Sequence, residues 1–387
     1  MNSPHFVTFV SFVVNSPMEF IDLKAQYAAY KDEIDGRMRT VLDHGRFIMG
    51  PEVFELEEKL ADFVGVKHCI TVGSGTVSLE IALRALGIGP GDEVITVPFT
   101  WISTAEVICA VGAKPVFVDI ETDTYNLDPD LIEAAITKNT KAIMPVSLFG
   151  QMADYDRINE IAARHGIPVI EDAAQSFGAT QNGKQSCSVT LIGSTSFFPA
   201  KVFGCYGDGG ALFSNDDELA NKMRAIRNHG GIKRGYHDLV GLNGRFDTIQ
   251  AGVLLAKLPH FTDEITARHR IGARYSELLK DICATPMIES GNTHVYAQYT
   301  IRVTDRETVR ARLQEKGVPT AVYYPKCLHE QPVFGLTGNR LGDFPVSEKA
   351  SREVLSLPMH PFLNNADQDG IIEALKTAVA AMEFVDS

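Results

Sequence analysis

From Cys69 to about Leu212 the chain alternates short β-branched runs with segments of helical period. CITVG precedes VSLEIALRAL, EVITVP precedes STAEVICAVG, KPVFVDI precedes PDLIEAAI, AIMPVSLFG precedes DYDRINEIAARHG, and PVIEDAA, TSFF and GALFSN follow. This order predicts an α/β domain with a mainly parallel sheet and helices on both faces. Ligands of such sheets bind beyond the carboxyl ends of the strands, so the residues just after VITVP, PVIEDAA and TSFF are the first site candidates. A basic, Gly-rich stretch (228–245) follows. Then come DTIQAGVLLAKLPHF, a long amphipathic segment through Leu279, VYAQYTIRV, RETVRARLQEKG and DQDGIIEALKTAVAAM. These predict a smaller α+β C-terminal domain, giving a large domain at 18–260 and a small one at 261–387.

The 387 residues suffice for a large core without disulfide or metal staples. A formal charge of −13 argues against a nucleic-acid backbone as partner, since such binding replaces counterions with basic side chains. Six cysteines show no CxxC pair and no His/Cys cluster at zinc-like spacing, so no metal is expected and the thiols read as those of a cytoplasmic protein. Residues 1–17 lack a basic start and a cleavage site and are too short to cross a bilayer. They read as a disordered N-terminal extension, with no membrane partner, and Met18 opens MEFIDLKAQY like the start of a domain.

Three features carry chemistry. Gly73-Ser74-Gly75-Thr76 follows a strand and opens a helix, where backbone N–H groups and the helix dipole suit a phosphate; a plain glycine turn is the ordinary alternative. The stretch lacks both the third glycine of a dinucleotide fingerprint and the Gly-Lys-Ser/Thr of a P-loop. Asp172 ends the apolar run of PVIEDAAQS. It suits either a helix cap or a partner for the pyridinium nitrogen of pyridoxal phosphate (PLP), with Gln175 near a ring substituent. Lys201, in TSFFPAKVFGCYGDGGAL, sits among apolar residues that would desolvate its ammonium. That setting fits an amine forming a Schiff base with a carbonyl, although single lysines are usually surface charges.

GSGT, PFTWISTAE, PVIEDAAQSFGA and TSFFPAKVFGCYGDGGALFSND, in this order and spacing, resemble the DegT/StrS family of PLP-dependent sugar aminotransferases, from about Met18 to the C-terminus. The resemblance implies the fold of type I PLP-dependent transferases, like aspartate aminotransferase. Within the family, SFFPAK…GCYGDGGA, VYAQYTIRV and SLPMHPFL are most similar to the enzymes acting on UDP-2-acetamido-2-deoxy-3-oxo-glucuronate. Tyr323, where that group more often has His, and GSGT depart from its pattern.

Carried over residue by residue, the resemblance makes Lys201 the Schiff-base lysine and Asp172 the pyridinium partner. It sets Gln175 beside the ring hydroxyl, Ser74, Gly75, Thr76 and Ser196 around the phosphate, and Trp101 on the cofactor ring. Asn243 and Arg245, in VGLNGRFD, are expected to reach the cofactor and substrate of the other subunit of a homodimer. Arg234, with His229 and Lys233, would supply positive charge for a diphosphate or uronate. Tyr323, Tyr324 and His329, in YYPKCLHE, would line the nucleotide-sugar pocket.

The implied activity is transfer of an amino group from L-glutamate to a 3-keto nucleotide sugar for surface polysaccharide (O-antigen) biosynthesis. A keto-6-deoxy sugar on UDP or dTDP, and a non-catalytic regulator on the same scaffold, are the alternatives. Lys201 argues against a sugar dehydratase, which carries His there, and the missing glycine fingerprint argues against a nicotinamide oxidoreductase.

Overall fold

The computed structural model describes residues 18–231, 233 and 235–383, and of Ala381–Glu383 the backbone alone. The N-terminal extension expected at 1–17 and Arg234 lie outside the described residues. Seven strands build the main sheet: β1 (His68–Val72), β2 (Glu93–Thr96), β3 (Lys114–Phe117), β4 (Thr140–Ile143), β5 (Ile170–Asp172), and, after the small hairpin β6 (Thr180–Gln181) and β7 (Lys184–Gln185), β8 (Ile192–Ser196) and β9 (Gly210–Ser214). Parallel bridges Ile143 to Val169 and Val146 to Asp172 join two half-sheets into the order β3-β2-β4-β5-β8-β9-β1. Only β9 runs antiparallel to its neighbours.

These strands are nearly continuous runs of buried residues because helices cover both faces. One core gathers Phe99, Phe149, Phe177, Phe197, Phe203, Phe213 and Phe261 around the cysteines 187 and 205. The other packs Ile70, Val72, Leu79, Ile81, Leu83 and Leu212 beneath the helices Gly75–Ala85 and Asp217–Arg227. Side chains of Ser74, Asp154 and Asp216 cap their helices by accepting from N–H groups of the first turn. The sequence-based reading extends the fourth strand through AIMPVSLFG, whereas β4 stops at Ile143 and the rest bends toward the site. It also passes over three early helices, Leu23–Ala29, Lys31–His44 and Pro51–Val64, and over the strand β11 named below.

The helix Thr248–Lys257 runs through a 3-10 turn into Phe261–Leu279. Phe261 packs in the large core, while Ile271, Tyr275 and Leu279 enter a separate C-terminal core with Tyr299, Leu313, Leu357 and Leu375. There β10 (Tyr299–Arg302) and β11 (Val354–Leu357) pair antiparallel, flanked by the helices Arg306–Glu315 and Asn365–Glu383. Asp119, just past β3, accepts from Val346 N, Ser347 N and Ser347 Oγ at 3.0, 2.9 and 2.5 Å, tying the helix Pro345–Glu353 to the sheet edge. The N-terminal segment docks through Gln26 Nε2, which donates to both oxygens of Glu264 at 2.8 and 3.0 Å. Among the described residues no helix is long and apolar enough to cross a membrane.

Candidate active site

A cavity of about 410 Å³ opens at the carboxyl ends of β1, β2, β5 and β8, where strand ends and following turns meet Gln298, Tyr323 and Tyr324. That volume suits a small organic ligand with a few fixed polar contacts. Ser74, Gly75, Thr76, Trp101, Asp172, Gln175, Ser196, Lys201, Tyr323 and Tyr324 all contribute to its wall.

Asp172 is carried in by β5, buried at 4% exposure. Thr104 Oγ1 donates to its Oδ2 at 2.9 Å and Ala174 N to its Oδ1 at 3.2 Å. Burial pushes its carboxyl above the usual range, opposed by these hydrogen bonds and by the charge of Lys201. Lys201 lies in a tight turn whose ends are held by Phe197 N to Gly209 O and Cys205 N to Phe197 O, at 2.7 and 2.8 Å. A Cβ on Gly204 would stand 2.5 Å from the carbonyl oxygens of Phe198 and Pro199, so the turn closes only with glycine there. Burial pulls the lysine's ammonium below its ordinary pKa, with Asp172 partly offsetting the shift. A partly desolvated amine of this kind is a competent nucleophile toward a carbonyl.

Opposite, the helix Gly75–Ala85 presents its N-terminus, where Ser74 Oγ caps Val77 N at 3.1 Å. A Cβ on Gly75 would lie 2.7 Å from Ser196 Cβ, so glycine lets β8 approach the helix end. Thr76 Oγ1 and Ser103 Oγ are 2.7 Å apart. Unpaired N–H groups, a positive dipole end and serine and threonine hydroxyls form a cradle for a phosphate. Gln175 is engaged at both ends: Phe149 N donates to its Oε1 at 2.8 Å, and its Nε2 donates to Tyr324 Oη at 3.1 Å. Trp101 is 58% exposed at the rim, with its ring centroid 6.1 Å from that of Tyr324.

The structure does not bring every candidate here. His329 is a correction: its side chain is fully buried, with Nε2 3.1 Å from Glu348 Oε1 and its ring 4.7 Å from Phe344, so it belongs to the packing behind the wall. Asn243 and Arg245 pair with each other at 2.9 Å and lie outside the cavity of their own chain. Their segment nonetheless backs the phosphate cradle, because Gly73 N donates to Gly244 O at 3.0 Å. His229 and Lys233 are exposed and are not among the residues that line the cavity. Sequence reasoning missed Ile21, Thr100, Ser103, Thr104, Phe198, Asp208 and Gln298. The hydroxyl-rich PFTWIST stretch after β2 was the available signal for Thr100, Ser103 and Thr104; Ile21 and Gln298 arrive through tertiary contacts alone.

The sheet order, with a lysine loop between β8 and β9 and a cavity shared with a smaller α+β unit, is the type I transferase fold that the sequence led us to expect. The model of the DegT/DnrJ/EryC1/StrS aminotransferase family matches residues 29–376, and the chain belongs to that family. It is 55% identical over 359 residues to UDP-2-acetamido-2-deoxy-3-oxo-D-glucuronate aminotransferase of Pseudomonas aeruginosa, covering 92% of this chain and 99% of that one. Among solved structures, DesV of S. venezuelae aligns with a TM-score of 0.92 at 37% identity, covering 93% of this chain and 98% of that one. The ntda protein of Bacillus subtilis with bound PMP, the pyridoxamine form of PLP, aligns with a TM-score of 0.85 at 32% identity, covering 93% and 83%. The protein is a sugar aminotransferase in class.

Proposed function

We propose that this enzyme uses PLP to move an amino group from L-glutamate to the 3-keto carbon of UDP-2-acetamido-2-deoxy-3-oxo-glucuronate, in the cytoplasm, for surface polysaccharide (O-antigen) precursors. The reading rests above all on one observation: a desolvated lysine, a buried carboxylate and a helix N-terminus share one cavity. The 55% identity to the P. aeruginosa enzyme supports the choice of sugar. We also assign 18–260 and 261–387 as the large and small domains; Ile271, Tyr299, Leu313 and Leu357 build a core of their own in the latter, while Val295, Cys327 and Val354 join the core of the former.

When bound, PLP supplies an electron-withdrawing ring that stabilises negative charge at the carbon bearing the amino group. Lys201 would hold the cofactor through its aldehyde carbon until the amino donor takes its place and frees the lysine amine. Its amine, whose pKa burial lowers, takes the proton from the α-carbon of glutamate and, in the second half-reaction, returns one to C3 of the sugar. Asp172, fixed by Thr104, keeps the ring nitrogen protonated. Gln175 stands beside the ring hydroxyl, Trp101 covers the ring, and Ser74, Gly75, Thr76 and Ser196 hold the phosphate. Tyr323 and Tyr324 face the sugar nucleotide. Asn243 and Arg245 serve the neighbouring subunit of a homodimer, and Arg234 supplies positive charge for the diphosphate or uronate. In support, Asn243 is exposed outside its own cavity, and the exposed Ile48 bridges to Asp247 in the same segment.

The test is the visible spectrum of the purified protein with PLP, before and after L-glutamate, for wild type and Lys201→Ala. Wild type should turn yellow and bleach with glutamate. Lys201→Ala should fold, show no such band and lose turnover by ~10³-fold or more. An undiminished rate in that variant would remove Lys201 from the chemistry. Keto-sugars on UDP and dTDP, uronate and 6-deoxy, then identify the acceptor by formation of the 3-amino product.

A further inference from the structure

Gln298 forms part of the cavity wall at 8% exposure. It arrives on the segment leading into β10, where its backbone N–H donates to Phe149 O at 3.3 Å. The same Phe149 peptide donates its N–H to Gln175 Oε1 at 2.8 Å, so the two glutamines flank one residue. Their amides differ in occupation. Gln175 uses both ends on protein partners, whereas Gln298 Oε1 has no hydrogen-bond partner among the described residues. Of the buried side-chain atoms left unpaired in this way, that oxygen alone belongs to a residue of the cavity wall. Most buried polar atoms in native proteins are paired, and an exception in a binding wall calls for an explanation, such as a ligand that supplies the missing partner.

We propose that Gln298 is a substrate-reading residue whose side-chain oxygen accepts a hydrogen bond from a hydroxyl or amide N–H of the nucleotide sugar; the assignment rests on the sugar-aminotransferase reading above. The residue lines the cavity, and rotation about its last torsion exchanges amide oxygen and nitrogen, so the side chain can offer its oxygen to a ligand. The alternative ligands lack a suitable donor. Glutamate carries N–H groups only on the amine that reacts, and its carboxylates solely accept. PLP has one hydroxyl, which lies with Gln175 in our assignment. A pyranose brings several O–H donors, and the 2-acetamido group adds an N–H. A site built to pair with such groups discriminates strongly against ligands that lack them.

The two half-reactions separate these sources. Gln298→Met, nearly isosteric and apolar, and Gln298→Glu, which keeps an acceptor oxygen, are compared with wild-type holoenzyme by single-turnover absorbance and by PLP titration. Both variants should bind PLP as wild type does, with an unshifted visible band, and should react with L-glutamate within ~3-fold of the wild-type rate. Gln298→Met should lose ~10- to 100-fold in kcat/KM for the keto-sugar, and Gln298→Glu should recover most of that loss. An unchanged sugar half-reaction in Gln298→Met overturns the proposal. So does an equal loss with glutamate, a shifted band or lost PLP affinity in both variants, or a sugar half-reaction that Gln298→Glu fails to restore. The probe is the UDP-linked 3-oxo-glucuronate. If wild type ignores it but uses another keto-sugar nucleotide, the substrate assignment falls and the same variants are read with the sugar that reacts.

Discussion

Glu171 and Asp172 are adjacent at the end of β5, and the alternation of a strand sends them to opposite faces. Asp172 enters the cavity. Glu171 enters a cage in which Ser147 Oγ and Ser186 Oγ donate to its Oε1 at 3.1 and 2.8 Å and Cys187 N donates to its Oε2 at 2.7 Å. Burial outweighs these donors and pushes the Glu171 carboxyl up to about 7 from 4.5. A raised folded-state pKa means that the folded chain binds more protons than the unfolded one between those values. The stabilisation is therefore complete below pH ~4.5 and is lost as pH rises through ~7, on the order of 3 kcal/mol. Glu171→Gln, which stays neutral, should flatten the dependence of Tm on pH between 5 and 8 relative to wild type. Parallel melting curves for the two proteins would show that Glu171 does not titrate there.

At the scale of elements, the phosphate cradle depends on how closely a helix end meets a strand. The helix Gly75–Ala85 and β8 touch through Gly75 and Ser196, and a methyl group in that gap must displace one of them. Gly75→Ala, whose helical backbone tolerates alanine, should weaken PLP affinity by ~10-fold or more while leaving helix content unchanged, read by PLP titration alongside circular dichroism. Affinity equal to wild type would mean that the phosphate is held elsewhere. The lysine loop between β8 and β9 follows the same principle, with Gly204 under the Phe198 and Pro199 carbonyls and the buried ammonium of Lys257 donating to Gly204 O. Removal from water lowers that ammonium to about 8, so the loop is anchored by a group whose charge is itself marginal above neutral pH.

For the whole molecule, the acidic chain exposes the apolar side chains Leu42, Phe47, Ile48 and Phe54, and the backbone of Phe47 and Ile48 pairs with Thr248 and Asp247, just past the segment holding Asn243 and Arg245. If two subunits share their sites, a mixture of Lys201→Ala and Asn243→Ala chains regenerates one intact site per mixed dimer. Random mixing in equal amounts then restores roughly a quarter of wild-type activity. Confirmed mixed dimers with no recovery would assign Asn243 to its own subunit or to no site.

The periodic alternation from Cys69 to Leu212 was enough to determine the layered α/β architecture, because fully buried parallel strands and amphipathic helices have distinct hydrophobic periods. The motifs around Ser74, Asp172, Gln175 and Lys201 drew attention to residues that the structure brings to one cavity wall. Tertiary structure alone decided the rest. His329 looked like a pocket residue beside Tyr323 and Tyr324, yet a 3-10 turn buries it against Glu348, an outcome set by packing between distant segments. Thr104 holds Asp172 from 68 positions away, and Gln298 reaches the cavity from the segment ahead of β10. Such contacts have no period and no motif. They arise where separate elements meet, so they are written in the packing of the chain upon itself and not in any local stretch of its sequence.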